Sequence, residues 1–304
     1  MSNKKEIINL FIDFMEEISS IFMIKLEDSF TLSMSILSLE ELPKISNIKE
    51  EENQIILNYY TKFKDLSYSK FEIRRALSEA YLYSLKHLDK YIVDVTLELP
   101  LLYLSLIKSI IISKSAYTKP IILNANGNNG NLALSLSAKN NPKEELYVTV
   151  ENDKFLKVAS LFKSLGGGDY DISTSIPNLS FRADLIISDP FLRNTEDILV
   201  FFEDYTEYLN DQAFFVVTLP TDFVRSRVFS DLILDKGLVF VGLIEYPIDL
   251  LDGLIKSSIV ILEKTDKTNK EFFHASMPSV KEIDKNVQVM DSVRDYLNEY
   301  LGDE

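Results

Sequence analysis

A short turn rich in glycine and asparagine occupies residues 124–131, directly after a buried apolar run. Its glycines, Gly127 and Gly130, would let the backbone approach a ligand closely, and a helix beginning after the turn would present unpaired N–H groups. The same composition suits a tight turn without a ligand, because asparagine tolerates left-handed backbone conformations. The turn therefore predicts either a ligand-binding loop or a structural turn.

A single acidic residue, Glu151, follows the next predicted strand, 145–150, about 20 residues after the glycine turn. In Rossmann-like folds an acid at this place accepts hydrogen bonds from the ribose hydroxyls of an adenosine-containing cofactor. One acid carries little weight alone. Together with the glycine turn, it predicts a ligand of the adenosine type.

A third candidate is the sequence SDPF at residues 188–191, which follows the predicted strand 183–187. Asp189 could accept a hydrogen bond from an exocyclic amine, and Phe191 could stack on a base flipped out of a duplex. Taken alone, an Asp-Pro pair after a strand favours a simple turn. The motif gains meaning only from the order in which it occurs with the other two.

Apolar runs alternate with helical patterns from about residue 118 onwards, and these elements would position the three motifs. The predicted strands are 120–123, 145–150, 183–187, 213–217, 238–244 and 257–262. Strands alternating with helices of this length predict βαβ units around a parallel sheet. The last two strands have no clear helical pattern between them, which predicts an antiparallel hairpin at the end of the sheet.

The N-terminal part of the chain shows helical periodicity instead. Apolar residues recur at spacings of three and four between Ile7 and Phe22. A second helix is predicted from Ser69, an N-cap with Glu72 three residues on, to about Leu85. We therefore predict a helical region over residues 1–92 and an α/β domain with a C-terminal extension over residues 93–304.

Composition excludes several kinds of chemistry. The 304-residue chain has no cysteine, which excludes disulfides, thiolate metal sites and a cysteine nucleophile, and suits a cytoplasmic protein. With only two histidines, His87 and His274, we expect no metal centre and no serine–histidine relay. The most apolar run, 97–113, is interrupted by charged residues and is shorter than the roughly 20 residues of a membrane span. No pattern predicts the oligomeric state.

The net charge is −15, and nucleic-acid-binding proteins usually carry a basic surface because phosphate contacts supply most of their non-specific affinity. The acidic total disfavours tight unaided DNA binding. A local basic groove beside Asp189, formed by Arg193, Arg225 and Arg227, would favour a nucleic-acid substrate.

Taken in order, the motifs resemble those of the N-6 adenine DNA methylase family, in its compact YtxK-like branch. The resemblance extends over residues 93–264 and is strongest in its last part. The matching segments are 95–96 (VT), 122–132 (ILNANGNNGNL), 151–153 (END), 188–191 (SDPF), 219–223 (LPTDF), 243–247 (LIEYP) and 256–264 (KSSIVILEK).

The resemblance implies a Rossmann-like, seven-stranded, mostly parallel sheet whose last strand is antiparallel, with S-adenosylmethionine (SAM) as cofactor. It implies methyl transfer to an exocyclic amine, with DNA adenine as a possible acceptor. The residues implied in catalysis are Asp189, Pro190 and Phe191. The residues implied in cofactor binding are Thr96, Asn124, Asn126, Gly127, Gly130, Asn131, Glu151 and Asp171.

Departures from the family pattern leave two alternatives open. Asn124 stands where the family has an aspartate facing the cationic end of the cofactor, the glycine step 127–130 is one residue longer, and only one proline stands in the 188–191 loop. These changes are also what a methyltransferase fold that has lost transfer, and serves as a binding or scaffold module, would show. Because fold does not determine substrate, an acceptor other than DNA is the second alternative.

Overall fold

The computed structural model describes most of the chain. The described residues are 3–85, 98–114, 118–137, 144–178, 180–190, 192, 194–247, 256–266, 271–279 and 281–302. Within these ranges the chain forms eleven helices and eight strands.

The helices are α1 (Asn3–Phe22), α2 (Leu26–Ser38), α3 (Glu50–Asp65), α4 (Lys70–Leu85), α5 (Glu98–Lys114), α6 (Asn131–Ser137), α7 (Asp153–Gly166), α8 (Thr195–Thr206), α9 (Thr221–Val224), α10 (Arg227–Asp235) and α11 (Ile283–Tyr300). The strands are β1 (Ile121–Asn124), β2 (Glu145–Thr149), β3 (Asp171–Ser173), β4 (Ala183–Ser188), β5 (Leu209–Pro220), β6 (Leu238–Glu245), β7 (Ser257–Lys264) and β8 (Phe273–Ser276).

The strands form one sheet in the order β3-β2-β1-β4-β5-β7-β6-β8. The first five strands are parallel, and β7 runs antiparallel to both β5 and β6. The predicted Rossmann-like α/β fold and the antiparallel hairpin of β6 and β7 are therefore confirmed. Because parallel strands end at one edge of a sheet, the loops after β1, β2 and β4 meet along that edge, where such folds bind ligands.

The predicted strand count of seven is wrong, since the described residues form eight strands. The additional strand is β8, which pairs with β6 in parallel, so the last strand in the chain is not the antiparallel one. Neither β8 nor the three-residue β3 contains a fully buried position, so neither produces an apolar run in the sequence. The sequence does predict a short strand at 271–273, and this prediction overlaps β8 at Phe273. No such prediction covers β3, which pairs with β2.

By its contacts the chain divides into two compact units. One contains α1–α4 together with α6 and α7, and the other contains the sheet with α5 and α8–α11. The predicted boundary between residues 92 and 93 stays a prediction. No single boundary along the sequence separates the two units, because α6 and α7 of the helical unit come after β1 and β2 of the sheet unit.

The helical unit has the buried apolar faces that the spacing predicts. Phe11, Phe14 and Ile18 of α1 are fully buried. Helix α4 begins with the predicted capping pair: the Glu72 carboxylate accepts the Ser69 N–H at 2.9 Å, and the Ser69 hydroxyl accepts the Glu72 N–H at 3.3 Å. These caps satisfy N–H groups that the first helical turn leaves unpaired.

The sheet unit has its core between the strands and α8. All six residues of β4 are buried, and Phe202 of α8 packs against Phe215 of β5 with ring centroids 5.0 Å apart. Helix α5 contributes Lys108, which is 3% exposed and forms an ion pair with Glu144. Among the described helices, none has the length and hydropathy that a membrane span requires.

Candidate functional site

Asn124, the last residue of β1, is fully buried. Its side-chain Nδ2 donates a hydrogen bond of 3.0 Å to the backbone carbonyl of Ile187 in β4. Its Oδ1 is also buried and accepts no hydrogen bond from the described residues. The amide thus connects the ends of two neighbouring strands, which a carboxylate could not do because it has no hydrogen to donate.

Gly127 lies where the loop turns back against the sheet. Its N–H donates to the carbonyl of Thr149 at 2.7 Å. A Cβ atom at this position would lie 2.6 Å from both Asn124 Oδ1 and Val148 Cγ1. Only glycine fits such a close approach, so packing alone accounts for this residue.

Asn126 has a left-handed backbone with φ of 47°, as expected for an asparagine in a tight turn. Its N–H donates to Thr149 Oγ1 at 3.3 Å, and its Oδ1 accepts a hydrogen bond of 3.2 Å from the phenol of Tyr205 in α8. Tyr205 could not be predicted from the sequence, because its contact with the loop depends on how α8 packs on the sheet.

Gly130 and Asn131 belong to the helical unit. Gly130 has φ of 80°, and a Cβ there would lie 3.0 Å from the Cα of Ala159 in α7. Asn131 begins α6, where its N–H donates to Asn129 Oδ1 at 2.9 Å and its Oδ1 accepts from Arg74 Nη1 at 3.2 Å. Both predicted cofactor residues therefore have structural partners in that unit.

Glu151 lies two residues beyond the end of β2, at the carboxyl edge of the sheet, and its side chain is exposed. It forms no hydrogen bond or ion pair with another residue in the described part of the chain. Asp171 is also exposed but is the first residue of β3, opposite Tyr147 in β2. Asp171 thus lies at the other end of its strand, and Thr174 and Ser175 are the residues that follow β3 at the edge.

A cavity of about 400 Å³ opens beside the ends of β2 and β3. Its polar lining residues are Thr149, Thr174, Ser175, Asn178, Asp204, Tyr205 and Tyr208. Its volume lies within the range of small-molecule sites, roughly 300–1,000 Å³.

Ser188, the last residue of β4, is fully buried, and its hydroxyl donates to the carbonyl of Ala125. The Ser188 hydroxyl therefore links the end of β4 to the loop after β1. Asp189 comes next and is half-buried, and Pro190 is buried. Among the described residues of this motif, 188–190, Asp189 is thus the most exposed to solvent.

Two residues not predicted from the sequence lie near Asp189. Ser188 pairs with Val217 across β4 and β5, so Asp189 is level with Thr218. The Thr218 hydroxyl is 3.0 Å from the phenol oxygen of Tyr246, which follows β6. Burial of the phenol raises the pKa of Tyr246 well above its ordinary value, and the negative charge of Asp189 raises it further. The signal for Tyr246 was its place in the LIEYP segment.

The charges near this edge do not add up to a basic surface. Arg225 forms an ion pair with Glu245, and Arg227 lies 3.6 Å from the carboxylate of Asp231. Each arginine is thus balanced by an acid. Arg193 lies outside the described residues.

Two other predicted site residues, Thr96 and Phe191, also lie outside the described residues. Within the described part of the chain, no three acidic or histidine side chains come together as a group that could hold a metal ion.

No protein-family model matches the sequence, and no curated protein matches it. Solved structures do match the fold. One is a protein proposed to be a class I SAM-dependent methyltransferase, from Listeria monocytogenes, with a TM-score of 0.76 and 17% identity over 97% of this chain and 98% of that one. Another is the methyltransferase subunit of a type I restriction-modification system from Streptococcus thermophilus, with a TM-score of 0.59 and 13% identity over 93% of this chain and 74% of that one. These likenesses identify the fold as that of class I SAM-dependent methyltransferases.

Proposed function

We propose that this protein binds SAM and transfers its methyl group to an exocyclic amine, as adenine-N6 DNA methylases do. The observation that carries the proposal is the half-buried carboxylate of Asp189 at the end of β4, level with Thr218 and close enough to Tyr246 to raise the pKa of its phenol. A carboxylate in this place is an acceptor for an amine hydrogen.

The residues on the ribose side fit SAM. Glu151 is an exposed acid after β2, so its oxygens are available to the ribose hydroxyls. The backbone of Asn126 and Gly127 would lie against the methionine part. Asn124 supplies only a neutral, buried oxygen there, so the cationic amino group of the methionine part loses the charged partner that an aspartate would give.

SAM would supply an electrophilic methyl group and leave as S-adenosylhomocysteine, and the methylated amine would release one proton to solvent. The protein would act mainly by positioning the amine that receives the methyl group. Asp189 and the Pro190 carbonyl accept hydrogen bonds from the amine and turn its lone pair towards the methyl group. The Tyr246 phenol is uncharged at neutral pH, as any tyrosine with an ordinary or raised pKa is, so it adds no negative charge beside Asp189. Stacking by Phe191 is part of the proposal.

DNA adenine is the first acceptor to test. The restriction-modification subunit with a similar fold supports it. The net charge of −15 and the paired state of Arg225 and Arg227 count against tight binding of duplex DNA without a partner. The acceptor amine could therefore belong to another molecule.

Isothermal titration with SAM and S-adenosylhomocysteine tests cofactor binding. Heat of binding at micromolar to millimolar cofactor is the expected result, and its absence would reject the enzyme proposal. A second assay measures transfer from methyl-labelled SAM to unmethylated DNA by the wild type and by Asp189→Asn. The variant removes the charge at nearly constant shape, so it should lose transfer and keep cofactor affinity.

A second candidate function is a methyltransferase fold kept as a binding or scaffold module. The hydrogen bond from Asn124 to Ile187 favours it, because the residue that would face the cofactor serves the fold instead. Cofactor binding without transfer to any amine acceptor would support this alternative.

A further inference from the structure

Three residues from three elements form a closed ring of hydrogen bonds at the loop after β1. Asn126 N–H donates to Thr149 Oγ1 at 3.3 Å, Thr149 Oγ1 lies 3.0 Å from the phenol oxygen of Tyr205, and that phenol donates to Asn126 Oδ1 at 3.2 Å. A phenolic hydroxyl has one hydrogen to donate, and Tyr205 donates it to Asn126. Tyr205 must therefore accept the hydrogen of the Thr149 hydroxyl. Each hydroxyl therefore donates once and accepts once around the ring.

Two of the three residues in this ring, Thr149 and Tyr205, are buried, and Asn126 is half-buried. Thr149 is 3% exposed and Tyr205 is 9% exposed. Hydrogen bonds in such surroundings strengthen one another, and an unpaired polar group there is destabilising. Burial also raises the pKa of Tyr205, which is the direction expected for a phenol in these surroundings.

The hydrogen-bond ring holds the loop at Asn126, next to Gly127. Asn126 holds a left-handed conformation, and the neighbouring Gly127 N–H donates to the backbone carbonyl of Thr149 at 2.7 Å. Thr149 thus holds two consecutive loop residues, through its side chain and its backbone. Tyr205 closes the arrangement from the opposite side of Asn126.

We propose that Tyr205 is a positioning residue, which fixes the loop formed by Asn126 and Gly127 in the conformation that binds SAM. Tyr205 contributes through its hydrogen bond to Asn126. The inference rests on the proposed function, because it assigns Tyr205 a part in the same cofactor site.

The Tyr205 hydroxyl can be removed while the aromatic side chain and its packing are kept. The Tyr205 ring lies 4.9 Å from that of Phe201, and this contact survives in Tyr205→Phe. Tyr208 provides a matched control because it lines the same cavity, while its hydroxyl forms no hydrogen bond with Asn126 or Thr149. Thr149→Ser keeps the side-chain hydroxyl that takes part in the hydrogen-bond ring, and Thr149→Val removes it.

The test measures S-adenosylhomocysteine affinity by titration calorimetry, together with the melting temperature. It compares the wild type with Tyr205→Phe, Tyr208→Phe, Thr149→Ser, Thr149→Val and the double variant Tyr205→Phe/Thr149→Val. Tyr205→Phe and Thr149→Val should each weaken binding roughly 3- to 10-fold, the effect of one net hydrogen bond, and the double variant should lose little more than either. Tyr208→Phe and Thr149→Ser should bind as the wild type does.

A purely structural role would lower the melting temperature of Tyr205→Phe and leave the affinity of the folded protein unchanged. Wild-type binding with Tyr205→Phe within twofold of it would overturn this inference and leave the proposed function standing. Absence of binding by the wild type would overturn both.

Discussion

The side-chain nitrogen of Asn124 donates a hydrogen bond of 3.0 Å to the backbone carbonyl of Ile187 and so ties the end of β1 to the end of β4. Both strands carry proposed site residues in the loops that follow them. The bond therefore holds the two strand ends, and with them the proposed cofactor and acceptor residues, and it depends on an amide hydrogen.

Asn124→Asp should destabilise the protein by about 1–3 kcal/mol at neutral pH, because a buried carboxylate cannot donate to Ile187. A protonated carboxyl regains a donor, so the difference from wild type should shrink as the pH falls towards 4. Urea unfolding of both proteins at pH 7 and pH 4 measures this. Equal stability at pH 7 would show that the amide bond contributes nothing.

Gly127→Ala should cost about 1–3 kcal/mol of stability and abolish cofactor binding, since the added Cβ would meet Asn124 Oδ1 and Val148 Cγ1 at 2.6 Å. Gly242→Ala is the control, because its Cβ would make only ordinary contacts at 3.6 Å. Thermal unfolding and titration with SAM report the two effects. If both variants behave alike, the tight approach at Gly127 is not what requires glycine.

Glu151→Ala should weaken SAM binding by roughly 1–3 kcal/mol through the loss of charge-assisted hydrogen bonds to the ribose. Because the side chain is exposed, its removal should leave the melting temperature unchanged. Asp171→Ala serves as the comparison, since Asp171 lies at the start of β3 and away from the edge. An equal loss of affinity in Asp171→Ala would return that residue to the cofactor site.

Tyr246→Phe should lower methyl transfer roughly 10- to 100-fold while cofactor affinity stays within twofold, because the phenol lies on the proposed acceptor side.

The same variant should change how the free energy of unfolding depends on pH above 8. The raised pKa of Tyr246 means that the unfolded chain releases this proton first, so stability is lost as the pH rises through about 10. Denaturation between pH 8 and pH 11 should show a smaller loss in Tyr246→Phe than in wild type.

The elements that carry long apolar runs could be predicted from the sequence, and the site could be predicted in part. β1, β2 and β4 show as runs because their positions are buried, and the places of Glu151 and Asp189 at strand ends follow directly. The contacts of Tyr205 could not be predicted, since Thr149 and Asn126 are 56 and 79 residues away in sequence. Tyr246 and Thr218 likewise come together only because β7 brings β6 near β5.

That arrangement of β5, β7 and β6 also governs when the sheet can be completed. β5 and β6 have no hydrogen bonds to each other, and each pairs with β7, which comes after both in the chain. During synthesis, one edge of β5 must stay unpaired until residues 257–264 leave the ribosome, and exposed strand edges are sites of aggregation. A nascent chain stopped before β7 should therefore need protection by chaperones, although it already holds β1, β2 and β4.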